Sequence, residues 1–169
     1  MEEFLNKIHY GIFSLLLNLH EKEKVFFLKI TPQRYKPFIR RNQIRTSRTI
    51  YYDSQNGFAI KMVNHLFGYF YSGYSLFFSF ILFGIKGMLC EIDDKVLTLI
   101  ILGVPVFIGY IPAYRAVFTN DNYLKYYKKF EKKDARWHKK CKWITVAFCV
   151  GSILATALGF LLMAVLVSI

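Results

Sequence analysis

Three long runs of this sequence lack ionisable side chains. Residues 66–85, 96–114 and 143–169 comprise 20, 19 and 27 positions with no Asp, Glu, Lys, Arg or His. A hydrocarbon core of about 30 Å is crossed by roughly 20 helical residues, so each run is long enough to span a bilayer. Helices of soluble proteins average only about 11 to 12 residues. The runs therefore predict three transmembrane helices.

The missing charges also exclude several classes of membrane protein. Proton-coupled carriers, ion-driven transporters and voltage sensors place ionisable groups inside their spans. Secondary transporters usually contain internal repeats as well, and none is evident here. Intramembrane hydrolases need paired carboxylates, a metal-binding His motif or a Ser with a Lys partner, and the runs contain none of them.

Catalytic and cross-linking signals are scarce in the rest of the chain. It contains no phosphate-binding glycine loop and no nucleophile motif. Three cysteines, Cys90, Cys141 and Cys149, follow no disulfide or metal-ligand spacing. We therefore expect a protein that is not an enzyme and that uses no cofactor and no metal ion.

The distribution of charge predicts the orientation in the membrane. Of 23 Lys and Arg residues, 11 precede the first run, two lie between the first two runs, and ten lie between Arg115 and Lys142. Basic loops stay in the cytoplasm, so 21 of these 23 residues are predicted to lie on one side of the membrane. We expect a cytoplasmic N-terminus and a C-terminus on the outside.

Four regions follow from these patterns. Residues 1–62 form a cytoplasmic and interfacial region, and residues 63–118 form a transmembrane hairpin with spans at about 66–85 and 96–114. A basic cytoplasmic helix covers 119–142, and the last transmembrane helix covers 143–169. In the first region, Leu5 to Leu19 follow the spacing of an amphipathic helix of about 16 residues. That helix either lies in the membrane interface or packs on the cytoplasmic part of the chain.

Residues 20–62 are predicted to add a small basic cytoplasmic region, with one or two short strands or helices around the prolines Pro32 and Pro37. Basic side chains alternate there with apolar ones, which suits an anionic lipid surface at about 1 kcal/mol per cation. Nucleic acid attracts the same side chains, but the spans favour lipid. The predicted lipid contacts are Arg40, Arg41, Arg45, Arg48, Lys128, Lys132 and Lys139.

Small residues recur in two of the predicted spans. In the last span they repeat every fourth residue at Ala147, Gly151, Ala155 and Gly159, which predicts close packing against a neighbouring helix or another copy. In the first span they form the stripe Gly68, Ser72, Ser75 and Ser79. This stripe predicts either helix packing or, in a ring of subunits, the wall of a narrow pore.

The segment "NYLKYYKKFEKKDARWHKKCKW", followed by a glycine-bearing last span, resembles uncharacterised small multi-span proteins of bacteria. The resemblance covers roughly the last third of the chain and implies a bacterial inner membrane. We expect an oligomeric membrane protein that acts as a pore-like or bilayer-perturbing effector or accessory subunit, a class often associated with defence loci. The alternatives are an interaction protein that neutralises a toxin or chaperones a membrane protein, and an enzyme acting on lipid headgroups.

Overall fold

The computed structural model describes residues 1–46, 57–89 and 95–168, apart from the side chains of residues 43–46 and 89. Within these ranges the chain is all-α, and three helices are long and apolar enough to cross a membrane. The predicted fold class, an all-α membrane protein with three transmembrane helices and an N-terminal helix, is confirmed. The helices are α1 (Glu2–Ile30), α2 (Lys36–Thr46), α3 (Phe58–Leu89), α4 (Lys95–Val117), α5 (Asn122–Phe130) and α6 (Ala135–Val167).

The three long helices form an open layer with α3 in the middle. α3 packs along α6 on one side and along α4 on the other, whereas α4 and α6 make no close backbone contact within the described ranges. Small residues allow the closest approach, because a side chain at Gly159 would collide with the backbone of Phe77. Lipid gives apolar helices no hydrophobic reason to associate, so such close packing and interhelical hydrogen bonds hold the layer together.

The N-terminal half of α1 and the whole of α5 cover one end of this layer, and we call them the brace. α1 contacts α3, α4, α5 and α6, and its side chains Leu5, Ile8 and Ile12 are buried. Gly11 lies so close to Thr145 of α6 that any larger side chain would overlap it. Of the two predicted arrangements for this segment, the structure therefore has α1 packed against other helices of the chain.

α1 is longer than the sequence pattern predicts. It contains 29 residues, and the apolar run 25–30, expected to form a separate short element, is its last turn and a half. Neither Gly nor Pro interrupts residues 12–31, and Lys24 pairs with Glu21 one turn earlier at 2.7 Å. The helix ends at Thr31, directly before Pro32, where the proline ring disfavours a helical preceding residue.

The basic segment 119–142 is divided between two helices instead of forming one. α5 ends at Phe130, and α6 begins at Ala135. Asp134 caps α6, since its carboxylate accepts a hydrogen bond of 3.2 Å from the backbone N–H of Trp137. Residues 135–142 are therefore continuous with the last span, so that α6 runs without interruption from the basic end into the apolar run.

At the end of the layer that the brace covers, α3 and α6 extend beyond the membrane-spanning runs. α3 and α6 contain 32 and 33 residues, which correspond to about 48 and 50 Å at 1.5 Å per residue. A core of about 30 Å leaves several turns of each helix outside the hydrocarbon. α1 contacts these turns at Asn64 and Cys141. It also contacts the first residues of the charge-free runs, at Phe67 and Thr145.

Candidate functional sites

His9 is the centre of a buried polar junction in the brace. Its ring is fully buried, Nε2 lies 2.9 Å from Oδ1 of Asn64 on α3, and Nδ1 lies 3.0 Å from the hydroxyl of Tyr127 on α5. An amide oxygen only accepts hydrogen bonds, so Nε2 carries the proton and Tyr127 donates to Nδ1. The aromatic rings of Phe67, Phe118 and Tyr123 enclose the imidazole.

The surroundings keep His9 uncharged. Burial lowers its pKa from 6.5 to about 4, because a charged ring would lose its hydration. Both nitrogens already have partners in α3 and α5. The junction therefore joins three helices as a neutral hydrogen-bonded lock and offers no free base for catalysis.

The acidic start of α1 fixes the rest of the brace. The carboxylate of Glu2 accepts hydrogen bonds from Asn122 at 2.9 Å and from Tyr126 at 3.1 Å. Glu3 pairs with Lys129 at 3.2 Å. One turn later, the amide nitrogen of Asn6 donates to the backbone oxygen of Ala116 at 2.9 Å. These contacts attach α1 to α5 and to the end of α4.

A second site lies between the C-terminal half of α1 and α2, a pair of elements that we call the arm (residues 20–46). The two helices enclose a cleft of about 800 Å³, lined by Val25, Leu28, Lys29, Lys36, Pro37, Arg40 and Arg41. No carboxylate lies within 4.0 Å of its four cations in the described part of the chain. Large apolar side chains are exposed beside this basic cleft: Phe26, Phe27, Ile30, Tyr35 and Phe38.

The structure brings only some of the predicted lipid contacts together. Arg40 and Arg41 line the basic cleft. Arg45 belongs to α2, but its side chain is outside the described set, and Arg48 lies outside the described residues. The other three predicted contacts are exposed on the second basic segment: Lys128 in α5, Lys132 in the turn after it and Lys139 in α6. The sequence pattern did not indicate Lys29 and Lys36 because their closeness depends on how α2 folds back on α1.

The predicted small-residue stripe of α3 faces α4 of the same chain. The ring of Tyr110 covers Gly68. Ser75 lies against Gly109, and the hydroxyl of Ser79 donates to the backbone oxygen of Leu102 at 3.0 Å. A pore lined by this stripe would therefore require α4 to move away from α3.

The two glycines of the predicted stripe of α6 lie against α3. Gly159 lies against Phe77 and Gly151 against the hydroxyl of Tyr74, whereas Ala147 is exposed and Ala155 is half-buried. Sequence reasoning missed two hydroxyls next to this stripe. Ser152 donates to the backbone oxygen of Phe70, and Thr156 donates to that of Gly73 at 3.1 Å. Ser152 and Thr156 are four residues apart and therefore share one face of α6. This spacing is the sequence signal that could have indicated them.

A third site is an open groove between α3 and α4, with a volume of about 640 Å³. Its residues on α3 are Asn64, His65, Gly68, Tyr69 and Ser72, and those on α4 are Leu99, Leu102, Gly103, Val106, Phe107 and Tyr110. The end next to Asn64 is polar and adjoins the His9 junction. The opposite end is lined by Leu99 and Leu102 of α4 and by Ser72 of α3, so apart from this one hydroxyl the α3–α4 groove changes from polar to apolar along its length.

No protein-family model, curated protein or solved structure matches this chain. No group of three His, Cys, Asp or Glu side chains comes together in a metal-binding arrangement in the part of the chain that the structure describes. The candidate sites of this chain are therefore the neutral junction, the basic cleft and the α3–α4 groove.

Proposed function

We propose that this chain is a non-enzymatic, multi-pass protein of a bacterial inner membrane that acts as an effector or accessory subunit by binding and perturbing the anionic cytoplasmic leaflet. The observation that carries the proposal is the arm. Four cations line one cleft there, with exposed aromatic and aliphatic side chains beside it. Anionic headgroups and the acyl boundary just below them match these two kinds of surface.

The orientation follows from the charges at the brace end of the layer. α1 packs against the start of α3, the end of α4 and the start of α6. The basic segments that adjoin these positions therefore lie at the same end. Under the positive-inside rule that end is cytoplasmic, and the C-terminal end of α6 lies on the outside.

The expected binding free energy of the arm at an anionic leaflet is sufficient for lasting contact. Each basic residue near an anionic leaflet contributes about 1 kcal/mol, so four cations contribute about 4 kcal/mol. The arm is joined to the membrane-embedded layer through α1, which raises its effective concentration at the surface. We therefore expect the arm to stay on the leaflet once the spans are inserted.

Insertion of the arm into one leaflet provides a mechanism for perturbation. The apolar side chains displace lipid from the cytoplasmic leaflet only, and the spans keep the protein in place. Assembly of several copies, which we also propose, would concentrate this effect in one patch of membrane. The serine stripe of α3 packs against α4, so this mechanism does not depend on a pore lined by serine.

Amide hydrogen exchange on the full chain in lipid nanodiscs tests the arm. We expect amides in residues 20–46 to exchange more slowly in discs that contain phosphatidylglycerol than in phosphatidylcholine discs. The double variant Arg40→Glu, Arg41→Glu should abolish the difference. Lys125→Glu is the matched control, because it changes the charge of an exposed residue on α5 and leaves the basic cleft intact. Equal exchange in both lipids would contradict the proposal.

Release of a small dye from liposomes tests the perturbation. Wild-type protein should release dye from anionic vesicles, and the double variant should release less. If vesicles stay intact although the arm is protected from exchange, perturbation is wrong and the arm serves only as an anchor.

A second candidate is an interaction protein that neutralises a membrane-directed toxin or chaperones another membrane protein. The open layer favours it, since Tyr69 on α3 is 73% exposed and borders grooves toward both α4 and α6. A helix of another protein would contact α3 there. The particle mass in mild detergent separates the candidates, because a closed ring of copies favours the effector and a monomer favours the interaction protein.

A further inference from the structure

We propose that the α3–α4 groove binds one membrane lipid, with the ester carbonyls of the lipid at its polar end and an acyl chain along its apolar end. This inference concerns the spans and is independent of the arm. The volume of the groove, about 640 Å³, lies within the roughly 300–1,000 Å³ that is usual for small-molecule sites.

The length and position of the groove match one leaflet. Its lining covers Asn64 to Ser72 on α3 and Leu99 to Tyr110 on α4, which is roughly 12 to 16 Å along each helix at 1.5 Å per residue. Half of a hydrocarbon core of about 30 Å is similar. Asn64 precedes the charge-free run of α3 by two residues, so the polar end lies near headgroup level.

The polar groups of the groove are hydrogen-bond donors that need acceptors. The oxygen of Asn64 is used by His9, which leaves its amide N–H groups. At the same end, next to Gly68, the hydroxyl of Tyr110 has no hydrogen-bond partner among the described residues. Unpaired donors are costly in hydrocarbon, and ester carbonyls would satisfy them. No Lys or Arg lines the groove, and its one ionisable side chain is His65, so we expect the neutral donors Asn64 and Tyr110 to select for carbonyl acceptors.

Gly103 keeps the apolar part of the groove open. A Cβ atom at this position would meet no atom within 4 Å, so glycine is not required there for packing between helices. Glycine is also a poor helix former compared with leucine. A larger side chain at this position would enter the space that we assign to the acyl chain, since its Cβ atom meets no other part of the protein.

Photo-crosslinking with a phospholipid that carries a diazirine in its ester-linked acyl chain tests the site. The full chain is reconstituted with this probe, irradiated and mapped by mass spectrometry. We expect crosslinks on 64–72 and 99–110 in excess over the exposed lipid-facing surface of α6 at 153–161. Gly103→Leu should lower the groove crosslinks to the level of that surface. Ala157→Leu, in the groove between α3 and α6, is the matched control and should leave them unchanged.

The donor requirement is tested separately with Tyr110→Phe, which removes the hydroxyl next to Gly68 at the polar end, and with an ether-linked probe. Loss of one hydrogen bond worth about 1 kcal/mol corresponds to about fivefold weaker crosslinking with the ester probe. The ether probe, which lacks the carbonyl, should label wild type and Tyr110→Phe equally. Uniform labelling of all lipid-facing surfaces, or groove labelling that persists in a folded Gly103→Leu protein, would overturn the proposal. Equal labelling by both probes in wild type would overturn the assignment of the ester carbonyl.

Discussion

The two halves of α1 carry the same kinds of apolar side chain in opposite surroundings. Ile8 in the first half is fully buried, whereas Ile30 in the second half is 64% exposed. The first half contacts the ends of all three long helices, and the second half faces α2 across the basic cleft. Burial is thus decided by which helices are near. We propose that lipid covers the half that the protein leaves exposed.

The largest expected effect comes from one substitution made in both halves. Ile8→Ala should lower the free energy of unfolding by about 2–5 kcal/mol, because it leaves a cavity in the brace. Ile30→Ala should change it by no more than about 0.5 kcal/mol, as for other exposed positions. Denaturant titration of both variants in the same micelles measures the difference. Similar losses in the two variants would break the comparison.

The junction of the buried half makes stability depend on pH. Folding lowers the pKa of His9 from 6.5 to about 4, so the unfolded chain binds a proton more readily between these values. Stability is therefore lost as the pH falls through this window, by about 2 kcal/mol between pH 7 and pH 5. Unfolding curves at both pH values provide the measurement.

His9→Gln is the control for this pH dependence, because glutamine does not titrate. The difference between pH 7 and pH 5 should become much smaller in that variant, whatever its absolute stability. Partial burial also lowers the pKa of His20, in the other half of the same helix, so His20→Gln should remove a smaller part of the pH dependence than His9→Gln does. A pH dependence that survives undiminished in His9→Gln would assign the effect to another group.

The smallest expected losses of stability come from replacing one glutamate in each half of α1. Glu3→Gln removes an ion pair with Lys129 of α5 and should cost up to about 1 kcal/mol. Glu21→Gln removes a pair within α1 and should cost about 0.3 kcal/mol. Thermal unfolding at low and high salt measures both, and the first loss should shrink with salt. A larger loss for Glu21→Gln would contradict the assignment of the brace.

The spans could be predicted from the sequence because a bilayer requires long charge-free runs, and this requirement does not depend on any partner. The buried junction around His9 could not be predicted from the sequence. His9 meets residues 55 and 118 positions away, and no local pattern brings them together. The basic cleft was partly predicted, since Arg40 and Arg41 follow a local pattern whereas Lys29 and Lys36 join them through tertiary structure.

The groove was not predicted because its existence depends on what α4 leaves uncovered. Ser75 and Ser79 contact α4 directly, while Ser72, in the same predicted stripe, faces open space. A periodic pattern predicts that a face is shared by small residues. It does not indicate where along that face the neighbouring helix comes close.

The arm and its lipid depend on which end of the layer faces the cytoplasm. The most direct test is a protease-cleavable tag fused after Ile169 in intact spheroplasts, with a cytosolic protein as the control for lysis. We predict that protease added outside removes the tag while the cytosolic protein stays intact. A tag that is cleaved only after lysis would place the basic end outside and contradict the account.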